Sequence, residues 1–338
     1  MADASALAVC NLARPSLGMS NETALFDLEW SDADGQHRQR MVARMLPSDR
    51  LVFPHYDLGR QYRVMEALGP TGVPVPRMRW FEADSAPLGQ PFFVMDASEG
   101  EAPSDVPPYH TPVGMCFEAS EAERAKMWWN GIEVLATIHR VDWRTAGLSF
   151  LGTAGDPTAA MDAQLDYWRG YLEWARTDEP QPVLDAGLAW LEKHRPVPER
   201  IALCWGDSRL GNILFRNFEV EAVLDWEMAF LGDPEADLAW WLFLDWNHSD
   251  GYGIERLAGF PPRERTVARY EQLTGRPVEN LEYYETFAAF RFGAIMARVA
   301  TIMRESDLPM PSDDFASNNP CTRRLAELLG LAQPGTSP

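Results

Sequence analysis

Apolar and polar positions follow two different spacings along the chain. Up to about residue 96, short apolar runs alternate with turn-rich segments, which is typical of an antiparallel sheet. The predicted strands span residues 7–12, 23–30, 41–46, 78–82 and 91–96. Residues 56–68, between the third and fourth runs, carry apolar side chains at helical spacing. The first part of the chain is therefore expected to be a small antiparallel sheet with one helix.

Longer apolar stripes at helical spacing dominate the remainder of the chain. Predicted helices cover residues 121–141, 162–177, 183–193, 264–274, 281–303 and 322–331. The proline-rich segment 101–119 is expected to be a covering loop or a linker. Arg291, Arg298 and Arg304 on the longest of these helices are expected on a solvated face, and lining the entry of an anionic ligand is the alternative.

Short apolar runs return at residues 201–224, with polar side chains at their ends. Asp207, Arg209 and Asn212 stand at relative positions 0, +2 and +5, and Asp225 follows Asn212 by thirteen residues (225 − 212). This is the spacing of a kinase catalytic loop, in which the first Asp accepts a hydroxyl proton and the Asn and later Asp hold Mg²⁺. Separate turn-forming or capping residues would not require this joint spacing. The pattern favours a phosphoryl-transfer site.

Three motifs carry a family resemblance: Trp205-Gly206-Asp207 to Asn212, Asp225-Trp226-Glu227, and Gly232-Asp233-Pro234 to Asp237-Leu238-Ala239. Together they resemble the aminoglycoside phosphotransferase-like (choline kinase-like) superfamily, and within it the branch related to kinase-like domains attached to some acyl-CoA dehydrogenases. The resemblance extends from about residue 18 to residue 303. It implies a bilobal α+β protein-kinase-like fold, with a nucleotide-binding antiparallel small lobe at 1–96 and a mostly helical catalytic large lobe at 97–338.

The resemblance also implies ATP or GTP and Mg²⁺ as cofactors, and it gives roles to named positions. Asp207 would orient and deprotonate the acceptor hydroxyl, and Arg209 would neutralise phosphate. Asn212 and Asp225 would bind magnesium. The remaining positions would hold the nucleotide: the hairpin residues Gly18, Ser20 and Asn21, the third-strand cation Arg44, and the hinge backbone of Asp96, Ala97 and Ser98.

Two positions depart from the family pattern. Gln61 stands where a glutamate commonly pairs with the third-strand cation, so Glu66 or another acid would have to substitute, or a weaker pair must suffice. Trp205 stands where the family commonly has histidine. Both departures favour the rival hypothesis of a catalytically weak, nucleotide-binding pseudokinase. The complete set Asp207, Asn212 and Asp225 favours an enzyme.

The formal net charge of −20 argues against a nucleic-acid partner and against an anionic membrane surface, because both require a basic footprint. No secretory signal or metal-spaced cysteine set is apparent, so a cytoplasmic protein is expected.

The acceptor is expected to be a small-molecule hydroxyl. Thirteen tryptophans favour an apolar acceptor such as a hydroxyacyl-CoA, whereas the net charge favours a cationic aminoglycoside. The oligomeric state stays open.

Two acidic residues beyond the catalytic spacing are interpreted from their local sequence. Asp233 precedes a proline and an acidic first turn, which is typical of a helix cap, so a structural role is expected. The role of Asp237 stays open at this point. His139, near the end of a predicted helix, is expected to serve packing and capping rather than catalysis.

Overall fold

The small lobe is a five-stranded antiparallel sheet in the order β1-β2-β3-β5-β4. Its strands are β1 Ser5–Ala13, β2 Glu22–Asp32, β3 Gly35–Met45, β4 Met78–Glu82 and β5 Phe92–Asp96. The computed structural model describes residues 5–14, 22–47, 51–152, 155–176 and 179–335. β3 begins earlier than its apolar run because its polar half pairs with β2 along the whole hairpin, for example His37 opposite Trp30. Strand pairing can thus extend a strand beyond its hydrophobic pattern.

Helix α1, Leu58–Leu68, packs against β4 and β5 of this sheet. Its first turn is capped by the Asp57 side chain, which accepts a hydrogen bond from the Arg60 amide at 2.8 Å. Val64, Met65 and Leu68 are buried at its base. The cap and the apolar face together fix the helix against β4 and β5, at one edge of the sheet.

The large lobe is mostly helical. Its helices are α2 Met115–Glu118, α3 Glu121–Arg140, α4 Pro157–Ala175, α5 Pro182–His194, α6 Glu235–Asn247, α7 Arg263–Thr274, α8 Leu281–Glu305 and α9 Pro320–Leu328. α3 starts at a capping box, in which Ser120 and Glu123 each bond the other's backbone amide. α6 is buried on nearly every face, as its uninterrupted apolar sequence predicts. The bilobal α+β fold is confirmed.

Two short two-stranded sheets between the helices carry the polar residues of the catalytic spacing. Strand β6, Ala202–Cys204, pairs with β9, Phe230–Gly232, and β7, Ile213–Arg216, pairs with β8, Glu219–Val223. β9 has no counterpart among the predicted strands, because three residues show no period of their own. Its pairing with β6 returns the chain to the start of the catalytic loop.

α8 is the one helix in the described part of the chain that is long and apolar enough to cross a membrane. Most of it is buried inside the protein, where it packs against α4, α5, α6 and α9. Its apolar length is that of a central core helix.

Candidate active site

The catalytic loop begins with a turn that requires glycine. Gly206 has φ +89°, and a Cβ at this position would lie 2.1 Å from the carbonyl oxygen of Met228. Only glycine can adopt this conformation against that neighbour. The turn directs the next residue, Asp207, out of the short strand β6.

Asp237, in the first turn of α6, holds the backbone of this turn. Its carboxylate accepts hydrogen bonds from the amides of Trp205 (2.6 Å) and Gly206 (2.9 Å), and His139 Nε2 lies 3.0 Å from it. His139 Nδ1 lies 2.6 Å from the Tyr270 hydroxyl, so both ring nitrogens have partners. Asp237 is completely buried. Its role, which the sequence left open, is to position the catalytic loop, and His139 supports it from within the core.

The predicted catalytic base, Asp207, is held by three donors. Its Oδ2 accepts from Arg209 Nε at 3.0 Å and Asn212 Nδ2 at 2.7 Å, and its Oδ1 accepts from the Trp240 indole at 2.8 Å. Burial would raise the pKa of Asp207, but the Arg209 charge and these hydrogen bonds outweigh it and lower the pKa. Asp207 is therefore an ionised, weakly basic carboxylate, better suited to orienting a hydroxyl than to removing its proton early.

Trp240 is a site residue that the sequence did not reveal. It lies three residues after Asp237 in an apolar helix and is 1% exposed. Such a residue is indistinguishable by pattern from an ordinary core tryptophan. The one feature of the sequence that could have pointed to Trp240 is the motif Asp237-Leu238-Ala239 directly before it.

Arg209 lies between two carboxylates. Its Nε donates to Asp207 and its Nη1 donates to Asp105, which belongs to the segment 101–119. Burial alone would lower the pKa of Arg209, but the charges of Asp207 and Asp105 raise it above the usual range. The guanidinium already has two carboxylate partners, and its role in neutralising phosphate stays a prediction. Through these partners Arg209 ties the loop after the hinge to the catalytic carboxylate.

Behind Asp105 stands His248, with its Nε2 3.6 Å from Asp105 Oδ1. Burial lowers the pKa of His248 to about 4. The imidazole is therefore neutral near pH 7, and it adds no second positive charge to this side of the site.

The hairpin β7–β8 brings the two predicted magnesium ligands together. Ile213 is paired with Val223, and the Leu224 amide donates to the Asn212 carbonyl at 2.8 Å. Asn212 and Asp225 therefore meet at the same end of the hairpin. Asp225 has φ +58°, a left-handed conformation that is uncommon for a residue with a Cβ and that recurs at functional sites.

Trp205 contributes to this arrangement. Its indole nitrogen donates to the carbonyls of Leu224 (2.9 Å) and Asp225 (3.1 Å), and its side chain is fully buried. A histidine at this position would also offer a ring N–H. The departure at Trp205 therefore keeps a hydrogen-bond donor on the strained backbone of Asp225.

The donor set fits a magnesium ion. Asp225 Oδ1 is buried and accepts no hydrogen bond from the described residues. Burial raises the pKa of Asp225, and the nearby Asp207 charge raises it further against the lowering effect of Arg44. Asn212 uses its amide nitrogen on Asp207, which leaves its amide oxygen for a ligand. Carboxylate and amide oxygens are ligands that Mg²⁺ accepts, and a cation would relieve the unpartnered buried oxygen.

Arg44 on β3 points to the same carboxylate. Its Nη2 lies 3.7 Å from Asp225 Oδ1, and its Nη1 donates weakly to Thr23 Oγ1 at 3.5 Å. Within the described residues neither Gln61 nor Glu66 bonds to Arg44: Gln61 is buried, and Glu66 accepts from the Tyr62 hydroxyl. The acid that pairs with the third-strand cation here is therefore Asp225.

Of the two remaining groups of predicted nucleotide contacts, only the hinge lies within the described residues. Gly18, Ser20 and Asn21 lie outside the described residues. At the hinge, the Asp96 amide donates to the Arg77 carbonyl and the Ala97 amide to the Arg40 carbonyl, both within the sheet. These two N–H groups already have partners in the protein, and the nucleotide contacts of the hinge stay a prediction. Carbonyl groups of this stretch and the Ser98 amide remain as the hinge positions for a base.

Asp233 behaves as its sequence context predicts. Its side chain accepts from the Glu235 amide at 3.0 Å and from the Tyr284 hydroxyl at 3.0 Å, so it caps α6 and ties that helix to α8. Burial raises its pKa.

Comparison with known proteins agrees with this geometry. Residues 18–280 match the model of the phosphotransferase enzyme family. The chain belongs to the phosphotransferase enzyme family. This phosphotransferase is 32% identical over 292 residues to acyl-CoA dehydrogenase family member 10 of Mus musculus, which covers 83% of the chain and 25% of that relative. It is 29% identical over 263 residues to acyl-CoA dehydrogenase family member 11 of Rattus norvegicus, which covers 75% of the chain and 32% of that relative. It thus spans only about a quarter to a third of the length of these relatives.

Solved structures of the family share the fold. A candidate aminoglycoside phosphotransferase from Ralstonia eutropha is 27% identical, with a TM-score of 0.69 over 94% of this phosphotransferase and 90% of that chain. The aminoglycoside phosphotransferase APH(4)-Ia, solved as a ternary complex with AMP-PNP and hygromycin B, is 16% identical with a TM-score of 0.57 over 97% of this chain and 96% of its own. The predicted family and its kinase-like fold are confirmed, and the likeness to APH(4)-Ia concerns the fold alone.

Proposed function

We propose that this phosphotransferase transfers the γ-phosphoryl group of ATP, with Mg²⁺, to a hydroxyl group of a small molecule. The observation that carries the proposal is the pairing of two differently prepared carboxylates. Asp207 is ionised and held by three side-chain donors, which leaves acceptor capacity for a hydroxyl, whereas Asp225 presents a buried oxygen without a hydrogen-bond partner among the described residues. One carboxylate is prepared for a hydroxyl proton and the other for a cation.

The transfer forms a bond between the acceptor oxygen and the γ-phosphorus and breaks the bond from that phosphorus to the β–γ bridging oxygen, which leaves with ADP. Asp207 orients the hydroxyl in line and takes its proton as the new bond forms. Asn212 and Asp225 would hold Mg²⁺, which supplies positive charge to the phosphate oxygens. Arg44, at 3.7 Å from Asp225, lies where it can add a second cation on the small-lobe side.

The geometry favours an apolar or amphipathic acceptor, such as a hydroxyacyl-CoA-like molecule, over a polycationic one. Asp105 and Asp207 are both engaged by Arg209, so neither offers a free negative charge to an amine. The helix α4 presents partly exposed aromatic rings, Tyr167 at 44% and Trp174 at 37%. Aminoglycosides remain the alternative acceptor class, because solved structures of that class share the fold.

One of the two observations that favour the rival pseudokinase hypothesis no longer supports it. Trp205 keeps an N–H donor on the Asp225 carbonyl, so its presence does not argue for an inactive site. Gln61 remains a departure, although the cation it would pair with has Asp225 as its partner. Turnover is therefore expected.

The test compares wild type with Asp207→Ala and with the control Asp166→Ala, whose carboxylate lies in an exposed ion pair on α4. Each protein is incubated with ATP or GTP, Mg²⁺ and pooled hydroxylated acyl compounds or aminoglycosides, and phosphorylated products are identified by mass. A product in wild type and control that is missing with Asp207→Ala supports the proposal. If wild type binds nucleotide but forms no product from either pool, the pseudokinase hypothesis replaces it. A product from the aminoglycoside pool alone overturns the acyl preference.

A further inference from the structure

Arg291 on α8 is buried beside the catalytic loop. Its exposed fraction is 1%, which corrects the expectation of a solvated face for this residue. Its Nη2 donates to the Gly206 carbonyl at 2.9 Å. Its Nε and Nη1 are also buried, and they have no hydrogen-bond partner among the described residues. The protein therefore encloses a guanidinium that uses one of its three nitrogens.

Such an arrangement is costly unless something else supplies the missing acceptors. A buried polar group without a partner destabilises the folded protein, and a charged group does so more strongly than a neutral one. Burial lowers the pKa of Arg291 to about 10, so the side chain still carries its charge at neutral pH. The nearby carboxylates Asp237 and Asp207 compensate part of that charge without bonding to it. Two donors and part of a positive charge remain for a ligand.

The position of Arg291 relative to Asp207 is fixed by one side chain. The Trp240 indole donates to Asp207 Oδ1 at 2.8 Å, and the Arg291 guanidinium carbon lies 4.3 Å from the centre of a Trp240 ring. Trp168 packs on the guanidinium as well, at 4.9 Å. The catalytic carboxylate and the unpartnered donors are therefore adjacent to the same indole, and a chain of a few carbon atoms could connect them.

Tyr167 on α4 connects this position with the surface through one neighbouring ring. Its own ring is 44% exposed and packs edge-on against Trp168, with the ring centres 5.3 Å apart. Trp168 in turn packs on the Arg291 guanidinium. The buried guanidinium is therefore one aromatic side chain away from a ring that borders solvent.

We propose that Arg291 binds an acyl oxygen of the acceptor, a carboxylate oxygen or the carbonyl oxygen of a thioester, while the acceptor's hydroxyl lies against Asp207. The inference rests on the proposed function and adds a recognition element to the same site. Apolar walls are supplied by Trp168, Trp240 and Phe287, the last 5.4 Å from the guanidinium carbon. Arg291 would select hydroxy acids or their thioesters against alcohols without an acyl group.

The primary test uses matched acceptors with wild type. A series of 2-, 3-, 4- and 5-hydroxy acids is compared with the corresponding diols, in which a hydroxymethyl group replaces the carboxyl, and with the coenzyme A thioesters. The expected kcat/KM is about 100-fold higher for the best acid or thioester than for its diol, since a site built around a polar contact rejects a ligand that lacks it. Comparison of each hydroxy acid with its coenzyme A thioester shows whether the acyl oxygen belongs to a carboxylate or to a thioester. A diol that is phosphorylated as well as its acid overturns the proposal.

Variants then assign the preference to Arg291. Arg291→Gln is expected to lose the preference for the acyl compound, mainly through KM, and Arg291→Lys to keep part of it, with the KM for ATP unchanged in both. The control is Arg304→Gln on the same helix, whose side chain forms a partly exposed ion pair with Glu179. A folded Arg291→Gln that binds nucleotide and retains the wild-type ratio of acid to diol refutes the assignment. If Arg291→Gln does not fold, Arg291→Lys and the wild-type series decide.

Failure of the subsite and failure of the proposed function give different results. Binding of the hydroxy acid and of its diol is also measured by calorimetry, in which no phosphoryl transfer is needed. Binding of the acid that disappears with Arg291→Gln and is partly kept with Arg291→Lys, in a protein without turnover, would refute the kinase but keep the subsite. Turnover of a diol with no gain for its acid would keep the kinase but refute the subsite.

Discussion

Trp240→Phe isolates the hydrogen bond between the Trp240 indole and Asp207. The bond is 2.8 Å long and its acceptor is an ionised carboxylate, so its loss is expected to cost about 1.5–3 kcal/mol. The pKa of Asp207 should rise, because one of the hydrogen bonds that lower it is lost. The Arg209 charge and the Asn212 hydrogen bond, which also lower this pKa, are both kept in the variant. At pH 7.5 the carboxylate remains ionised in the variant.

A loss of rate at that pH would then report orientation and not protonation. We expect kcat for phosphoryl transfer to fall about 10- to 100-fold at pH 7.5, because the carboxylate can rotate away from the in-line position. The KM for ATP should be unchanged. In a profile of kcat against pH, the acid limb should move to higher pH, in the direction of the raised pKa.

The chain offers a matched control in the next residue. Trp241 is also 1% exposed, but its indole nitrogen has no hydrogen-bond partner among the described residues. Trp241→Phe removes the same volume and should cost about 1–2 kcal/mol of stability through packing alone. Trp240→Phe should unfold at a lower urea concentration than Trp241→Phe, because it also loses the hydrogen bond to Asp207, and kcat should fall only in Trp240→Phe. Equal kcat values in the two variants would show that the indole donor does not position Asp207.

Three further predictions concern the carboxylates around Asp207. Asp237→Asn replaces an acceptor of two backbone amides by a group that also donates, and we expect a loss of about 3–5 kcal/mol in urea unfolding together with loss of turnover; a stability loss below about 1 kcal/mol would contradict the structural role. Asp105→Asn leaves the Arg209 charge to act on Asp207 alone, so the pKa of Asp207 should fall and the acid limb of the kcat profile should move to lower pH. An upward shift of that limb would contradict the position of Arg209 between the two carboxylates. Burial raises the pKa of Asp225, so protonation competes with magnesium already above the ordinary titration range of an aspartate, and Mg²⁺-dependent nucleotide binding, followed by fluorescence, should weaken as the pH is lowered from neutrality. A magnesium affinity that does not change on acidification would contradict this assignment.

The hydrophobic pattern predicted most elements of the fold because each has a period that its own residues display. Helix α3 starts at residue 121 in both the prediction and the structure, since the capping box at Ser120 and Glu123 is written in the sequence. β3 is longer than its apolar run, and β9 is too short to have one. Both depend on the partner strand, which a linear pattern cannot show.

The candidate site was predictable where a motif has fixed spacing along the chain. Asp207, Asn212 and Asp225 are brought together as that spacing implies. Asp105 and Trp240 were missed, because their contacts with Arg209 and Asp207 cross 104 and 33 residues and neither belongs to a local motif. Tertiary contacts of this kind leave no mark in a single sequence.

The net charge of −20 has to be weighed against the local charges of the site when the acceptor is inferred. The charge acts over the whole surface and is screened within about 10 Å at ordinary salt, so it can speed the approach of a cation without retaining it. At the site itself, four carboxylates, Asp105, Asp207, Asp225 and Asp237, lie near three guanidinium groups, Arg44, Arg209 and Arg291. Asp237 accepts from two backbone amides, and Arg209 or Arg44 lies beside each of the other three carboxylates. Mg²⁺ at Asp225 would add positive charge, and a bound nucleotide would balance that ion. A polycationic acceptor would then have no carboxylate without a partner among these seven side chains, whereas an acyl oxygen would find the two free donors of Arg291. Local charge therefore favours the acyl acceptor although the total charge of the protein points to a cation.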